Sequence, residues 1–231
     1  MNRDTPAVRA RTRPARQGVD LGVYLVTDTR LCADVGVPAT VAAAVAGGVT
    51  LVQLRDPHAD DASLVELGRA VAAELTGTGV PLIVNDRVHL VAPIGAAGAH
   101  IGQGDLDPVR ARSVLGPDAV LGLSVQTVQH VAAARALGDG VIDHLGVGPL
   151  RAQSTKPDAA PPIGIEGFAE IAAVSPWPCV AIGGVGPADA APLRRVGAAG
   201  LAVVSAICGR PDPASAARVL RAAWDAAEAA A

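Results

Sequence analysis

Two carboxylates in this chain stand where a divalent cation could be held. Asp86 closes the apolar run 81–86 (PLIVND), and Asp105 lies just beyond the run 99–103 (AHIGQ). If these runs are neighbouring strands they lie roughly 4.8 Å apart, so both side chains can reach one ion. Magnesium takes one or two carboxylates, keeps several waters and completes its shell with substrate phosphate oxygens. Each aspartate also has a plainer reading, Asp86 as a helix cap and Asp105 as the start of a turn.

Donors for phosphate oxygens stand at similar places. Arg55 follows the run 51–55 (LVQLR), Asn85 precedes Asp86, and Lys156 sits in a long polar segment after the run 143–149. Arginine offers a planar fork and lysine a compact point charge on a flexible stem. The chain has 19 basic residues, yet its single lysine is Lys156. Loops of this kind often close over substrate, although an ordinary surface loop has the same composition. A second anion site is suggested by 182–184 (IGG) and 204–206 (VSA). Glycine there would let backbone N–H groups approach a phosphate closely, or simply make a turn.

Other chemistries lack their residues. There is no G-x-S-x-G elbow, and no histidine stands near Ser124 in sequence, so no nucleophilic triad is expected. His58, His89, His100, His130 and His144 show no zinc spacing. No G-x-G-x-x-G follows the first strand, so a dinucleotide fold is not indicated.

The elements that would position these residues follow one repeating pattern. Short apolar runs at 23–28, 51–55, 81–86, 99–103, 120–125, 143–149, 178–184 and 200–206 read as strands. Stretches of helical spacing at 40–47, 62–76, 87–94, 107–115, 127–138, 166–174, 186–196 and 213–230 alternate with them. Near-continuous apolar strands mean a parallel sheet buried on both faces. Eight such units, at roughly 26 residues each, fit a single (β/α)8 TIM barrel, whose chemistry collects at the carboxyl ends of the strands. Thr27, Asp28, Gln53, Arg55, Asp56, Asn85, Asp86, Gln103, Asp105, Ser124, Gln126, the 153–156 segment, Gly183, Gly184 and Ser205 all fall there.

Composition bounds the rest. The 231 residues are 50% hydrophobic and 18% charged, which excludes wholesale disorder and suits one α/β domain. Arg3, Arg9, Arg11, Arg13 and Arg16 against Asp4 give residues 1–17 a charge of +4, so the remainder carries −7 within a net −3. An acidic body with only 2% aromatic residues argues against a nucleic-acid partner. Residues 1–20 read as a disordered basic tail and 21–231 as the barrel domain. No apolar run spans a membrane. Cys32, Cys179 and Cys208 stand far apart, which suits a reducing, cytoplasmic setting. Homo-oligomerisation stays open.

The segments 47–56 (GGVTLVQLRD), 82–87 (LIVNDR), 95–105 (GAAGAHIGQGD), 144–149 (HLGVGP), 154–157 (STKP), 181–185 (AIGGV) and 204–207 (VSAI) resemble thiamine phosphate synthase. They occur in that family's order and cover roughly residues 20–210. The resemblance implies a transferase of thiamine biosynthesis on a (β/α)8 barrel. It would join a hydroxymethylpyrimidine diphosphate to a thiazole phosphate with Mg2+, releasing pyrophosphate. It implies that Gln53, Arg55, Asn85, Ser124 and Lys156 hold the pyrimidine diphosphate, and that Leu54, Asp56 and Pro57 belong to the substrate-binding segment. Asp86 and Asp105 match the magnesium ligands. Gln153, Ser154, Thr155, Gly184, Val204 and Ser205 match the thiazole phosphate site. Arg55, Ser124 and Lys156 would carry the catalytic load.

Three departures mark this chain. The family's Gln-x-Arg-x-Lys reads Gln53-Leu54-Arg55-Asp56-Pro57, so one cation is missing. Ser-x-His reads Ser124-Val125-Gln126, and Thr-x-Thr-Lys reads Gln153-Ser154-Thr155-Lys156. Two other activities compete: a thiazole tautomerase-like isomerase, which Gln126 in place of histidine disfavours, and a non-catalytic phosphate-binding barrel, which the missing cation would suit.

Overall fold

The computed structural model describes residues 18–152 and 160–229. Residues 1–17, most of the expected tail, lie outside the described residues, as do Gln153, Ser154, Thr155 and Lys156. Eight parallel strands close into a barrel in sequence order. They are β1 (Val23–Val26), β2 (Leu51–Leu54), β3 (Leu82–Asn85), β4 (Gly98–Ile101), β5 (Val120–Val125), β6 (His144–Val147), β7 (Cys179–Ile182) and β8 (Ala198–Val203). The helices are α1 (Val37–Ala46), α2 (Asp61–Glu74), α3 (Val91–Ile94), α4 (Pro108–Leu115), α5 (Val128–Ala136), α6 (Gly164–Val174), α7 (Ala190–Arg195) and α8 (Pro213–Ala229). The expected (β/α)8 TIM barrel is therefore the observed architecture, with β1 pairing β8 to close it.

Local chemistry sets the boundaries. Asp60, Asp107 and Thr127 cap α2, α4 and α5, each side chain accepting from a backbone N–H of the first turn. Helix α1 begins earlier than its apolar periodicity predicts, with Pro38 in its first turn. The expected strand 178–184 stops at Ile182, because Gly183 (φ 92°) and Gly184 (φ 70°) leave the extended region. The expected helices at 87–94 and 186–196 each split into a 3-10 turn, Val88–Leu90 or Pro187–Asp189, followed by a short α segment. No helix among the described residues is long and apolar enough to cross a membrane.

Alternation along each strand divides the core in two. Side chains such as Leu25, Val52, Leu54, Val84 and Leu145 face the helix layer. Tyr24, Val26, Leu51, Ile83, Val180 and Ala202 fill the barrel interior. Closure also brings Cys32 and Cys208 together where the loops after β1 and β8 meet, despite their separation in sequence, and the Cys208 thiol donates to Val26 O at 3.8 Å.

The amino ends of β5 and β6 are tied by one arginine. Arg112 donates through Nε to Val141 O (3.0 Å) and through Nη1 to Gly116 O (3.0 Å) and Ala119 O (2.6 Å). Its Nη2 reaches Asp143 Oδ2 at 2.6 Å, an oxygen that also accepts from Leu121 N at 2.8 Å. Both side chains are 12% exposed, so removing the cation strands a largely buried carboxylate and three carbonyls. Arg112→Ala is expected to cost about 3 kcal/mol of unfolding free energy by urea titration. Residual activity of the folded fraction should be intact, because these groups sit at the barrel end opposite the strand carboxyl ends.

Candidate active site

Two cavities open at the carboxyl ends of the strands and share a wall. The inner one reaches into the barrel and is lined by Tyr24, Gln53, His100, Gly146, Val180, Ile182, Ala202 and Val204 among others. The outer one is a polar cleft lined by Asp28, Arg30, Arg55, His58, Asn85, Asp86, Gln103, Asp105 and Ser124 among others. Arg55, Asn85 and Ser124 line both. A flat apolar group and a charged group on one molecule could thus bind at once, with these three side chains at the junction.

Arg55 emerges at the end of β2. Its backbone N–H donates to Thr27 Oγ1 at 2.9 Å, and its Nη1 lies 4.0 Å from Asp28 Oδ2. Asp28 is itself held by accepting from the backbone N–H groups of Arg30 and Leu31. The β1 exit therefore aims the guanidinium of the β2 exit while leaving it on both cavity walls.

Asp86 and Asp105 both line the outer cleft. Asp86 has φ 59°, the only non-glycine residue in the left-handed region among those described. Aspartate tolerates this conformation better than most residues. Its N–H donates to His100 O at 2.8 Å, which holds the β3 exit against β4. Asp105 Oδ2 accepts from Gly102 N at 2.7 Å, so one oxygen closes its own turn.

A polar chain crosses the barrel interior beneath these groups. Gln53 Nε2 donates to Tyr24 Oη. Burial raises the Tyr24 phenol well above its ordinary range against the lowering effect of that bond, so it stays protonated. The Tyr24 ring meets His144 edge-on, with centroids 6.1 Å apart. His144 Nε2 lies 3.4 Å from His100 Nδ1, and His100 Nε2 lies 3.0 Å from Ser124 Oγ. Gln103 Nε2 donates to Ser124 O at 2.7 Å. Burial pushes the His144 imidazole down to about 4, outweighing the upward pull of the Asp143 charge, so it is neutral near pH 7.

Glycine makes room for this chain. Strand register sets His100 opposite Gly122 and Gly122 opposite His144. A Cβ on Gly122 would lie 2.3 Å from His100 Nδ1 and 2.4 Å from His144 Nε2. A Cβ on Gly146 would lie 2.9 Å from His100 Cε1.

The residues expected from sequence are placed unevenly. Gln53, Arg55, Asn85, Asp86, Asp105, Ser124 and Val204 are brought onto the two cavities, and Pro57 joins the wall of the outer one. Leu54 is not: it is fully buried and faces the helix layer, because it alternates with Gln53. The Asp56 carboxylate turns back to accept from His58 N and Ala59 N, and His58 takes a place on the cleft wall. Gly184 and Ser205 stand at the adjacent exits of β7 and β8, outside both cavity linings. Gly184 O accepts from Arg151 Nη1, whose guanidinium is paired with Asp189.

Tyr24, His100 and His144 were not among the expected site residues. Reading only strand ends passes over polar side chains in mid-strand. Period-two alternation offered the missing signal, since it gives His100 the same inward parity as Gly98 within β4. The histidine that Ser124 lacks in sequence is supplied by the neighbouring strand. The second imidazole nitrogen of that histidine faces neutral His144 rather than a carboxylate, so the arrangement is not an activated-serine triad.

The family model and the curated relatives of this chain agree on one family. A model of thiamine monophosphate synthase matches residues 23–207. The thiamine-phosphate synthase of Azorhizobium caulinodans is 51% identical over 202 residues, covering 87% of this chain and 94% of that protein. The thiamine-phosphate synthase of Xanthobacter autotrophicus is 50% identical over 204 residues, covering 88% and 95%. Among solved structures, thiamine phosphate pyrophosphorylase from Pyrococcus furiosus superposes with TM-score 0.80 at 28% identity, covering 90% of this chain and 98% of that one.

The space around Gly122 makes a prediction of its own. A glycine-to-alanine change at a strand position with ordinary dihedrals usually stabilises by about 0.4–1 kcal/mol through the unfolded chain. Gly122→Ala is expected to reverse that sign and destabilise by about 1–3 kcal/mol, because the methyl overpacks both imidazoles. Chemical denaturation of the two proteins checks it.

Proposed function

This chain belongs to the thiamine monophosphate synthase family, and we propose that its two joined cavities are the two halves of that transferase site. The reaction joins a hydroxymethylpyrimidine diphosphate to a thiazole phosphate and releases pyrophosphate. The observation that carries this reading is the shared wall of Arg55, Asn85 and Ser124 between an interior pocket and a charged cleft. The aminopyrimidine would lie in the pocket above Tyr24, with its diphosphate in the cleft. The thiazole phosphate would sit toward the β7 and β8 exits, where Gly184, Val204 and Ser205 stand, with Gln153, Ser154 and Thr155 completing its contacts.

The donor set suits a hard divalent ion. Asp86 and Asp105 present carboxylate oxygens to one cleft, and no group of three or more His, Cys, Asp or Glu gathers among the described residues. Magnesium is commonly bound by one or two carboxylates, its shell being completed by water and substrate phosphate oxygens. Asp86 and Asp105 would hold Mg2+, which when bound neutralises charge on the diphosphate.

The chain's own residues would do the rest. Arg55, oriented by Asp28, and Lys156 would offset the charge that grows on the diphosphate oxygen as the methylene C–O bond breaks. Asn85 and Ser124 would fix the diphosphate relative to the ring. The bonding pair leaves with pyrophosphate, the electron-rich aminopyrimidine supports the methylene cation, and the thiazole nitrogen donates its lone pair to form the C–N bond. No protein nucleophile is needed, and catalysis rests on positioning and electrostatics. The apolar pocket walls Val26, Val180, Ile182 and Ala202 would keep water from capturing the cation. His58 stands on the cleft wall beside Pro57, where the family pattern would have a lysine. Three free cysteines suit a reducing cytoplasm.

Purified protein with both phosphorylated substrates and Mg2+ should form thiamine phosphate and pyrophosphate in equal amounts, and a chelator should stop it. Absence of product under conditions where a known synthase works would overturn the assignment. Lys156→Ala should lower turnover by about 10²–10³-fold, the scale of one lost transition-state donor. Lys156→Arg, though charge-preserving, should lose much of the turnover, since a planar fork does not replace a compact ammonium. Asp86→Asn and Asp105→Asn should each raise the Mg2+ concentration needed for half-maximal rate.

A further inference from the structure

We propose that His144 is a positioning residue: through His100 it sets the direction of the hydrogen bond at Ser124, so that the Ser124 hydroxyl proton points at the pyrimidine diphosphate. The inference deepens the functional reading above and rests on its placing of Ser124 against the diphosphate.

Three groups stand in line within the barrel. His144 Nε2 is 3.4 Å from His100 Nδ1, and His100 Nε2 is 3.0 Å from Ser124 Oγ. The imidazole planes are tilted by 41° with centroids 5.4 Å apart, so contact runs edge to edge rather than by stacking. The histidine–histidine gap is that of a long hydrogen bond, and the histidine–serine gap that of an ordinary one. Both histidines are buried, at 7% and 2% exposure, so water is a poor substitute partner. Gly122 leaves the space between them clear, as its missing Cβ would overlap both facing nitrogens.

With a single proton on each imidazole, such a line has two consistent arrangements. In the first, His100 Nδ1–H donates to His144, and His100 Nε2 must accept from the Ser124 hydroxyl. That arrangement consumes the only proton Ser124 has. In the second, His144 Nε2–H donates to His100 Nδ1, and His100 Nε2–H donates to Ser124 Oγ. The serine proton is then released to face the cleft. A diphosphate oxygen only accepts, so Ser124 can bind it only in the second arrangement. A charge-assisted bond of that kind is stronger than the neutral serine-to-imidazole bond it displaces. Gln103 pins the Ser124 carbonyl, so the hydroxyl rotor is the part left to be set.

The role is therefore tautomer selection. A donor at the His144 Nε2 position favours the His100 tautomer protonated on Nε2, whereas an apolar side chain of similar shape removes that preference.

Two readouts separate this from packing. The first uses the unaltered protein with 15N-labelled histidine, and reads the His100 ring nitrogens by NMR with the pyrimidine diphosphate bound. Protonation at Nε2 is expected; protonation at Nδ1 would overturn the proposal without any variant. The second compares His144→Phe with His144→Gln, whose side-chain amide can donate from nearly the same point. His144→Phe should raise KM for the pyrimidine diphosphate about tenfold, the scale of one lost charge-assisted bond. KM for the thiazole phosphate should change less than twofold. His144→Gln should restore both KM and the Nε2-protonated tautomer. An unchanged KM in the Phe variant, or a folded Gln variant as impaired as Phe, would reduce His144 to a packing role and overturn the proposal. Ser124→Ala keeps the premise separate. If it leaves the pyrimidine diphosphate KM unaltered, the placing of Ser124 fails. If it raises that KM while His100 is protonated on Nδ1, only the relay fails.

Discussion

The pairing register of a closed parallel sheet governs everything else in this molecule. Side chains alternate along a strand, and the ladder fixes which residues share a level. Because His100 pairs with Gly122 and Gly122 with His144, two imidazoles from different strands arrive at one height with a glycine between them. Because Val26 pairs with Gln53, the Gln53 amide comes within reach of Tyr24 from the next strand. Slipping any of these strands by one residue would send the polar groups into the helix layer and bring leucines and valines into the barrel. The energetic cost of burying the polar chain is contained because its groups satisfy one another. No buried side-chain nitrogen or oxygen among the described residues lacks a partner.

That interior chain and the cleft above it divide the electrostatic work. Inside, burial keeps Tyr24 protonated and His144 neutral, so neither adds charge to the floor. At the rim, the buried Asp28 and the β1 turn limit where the Arg55 guanidinium can go. A low-dielectric floor beneath a charged rim suits a reaction in which one end of the substrate departs as a polyanion while the other stays a flat, electron-rich ring. The left-handed conformation of Asp86 belongs to the same design, since it turns the chain sharply at the end of β3 while its N–H remains bonded to β4.

Much of this was legible before any coordinates. Eight apolar runs separated by helical stretches gave the barrel, because burial on both faces leaves a strand little room for polar residues. The exceptions at the strand ends pointed to Arg55, Asn85, Asp86, Asp105 and Ser124, and the structure gathers all five on one cleft. Strand-end position alone could not tell Gln53 from Leu54, which differ only in parity and end on opposite faces of the sheet. Nor could it show that the Asp56 carboxylate is spent on its own turn while His58 reaches the wall.

By itself the amino-acid sequence determined the repeat, the order of the elements and the chemical types available at the mouth, because periodicity and composition are local properties of the chain. Only the tertiary structure decided which of those types meet. The contacts of Ser124 with His100, His100 with His144, and Arg55 with Asp28 each join different strands or strand exits. They depend on register, strand twist and closure, which arise from packing all eight strands at once and are written in no single segment.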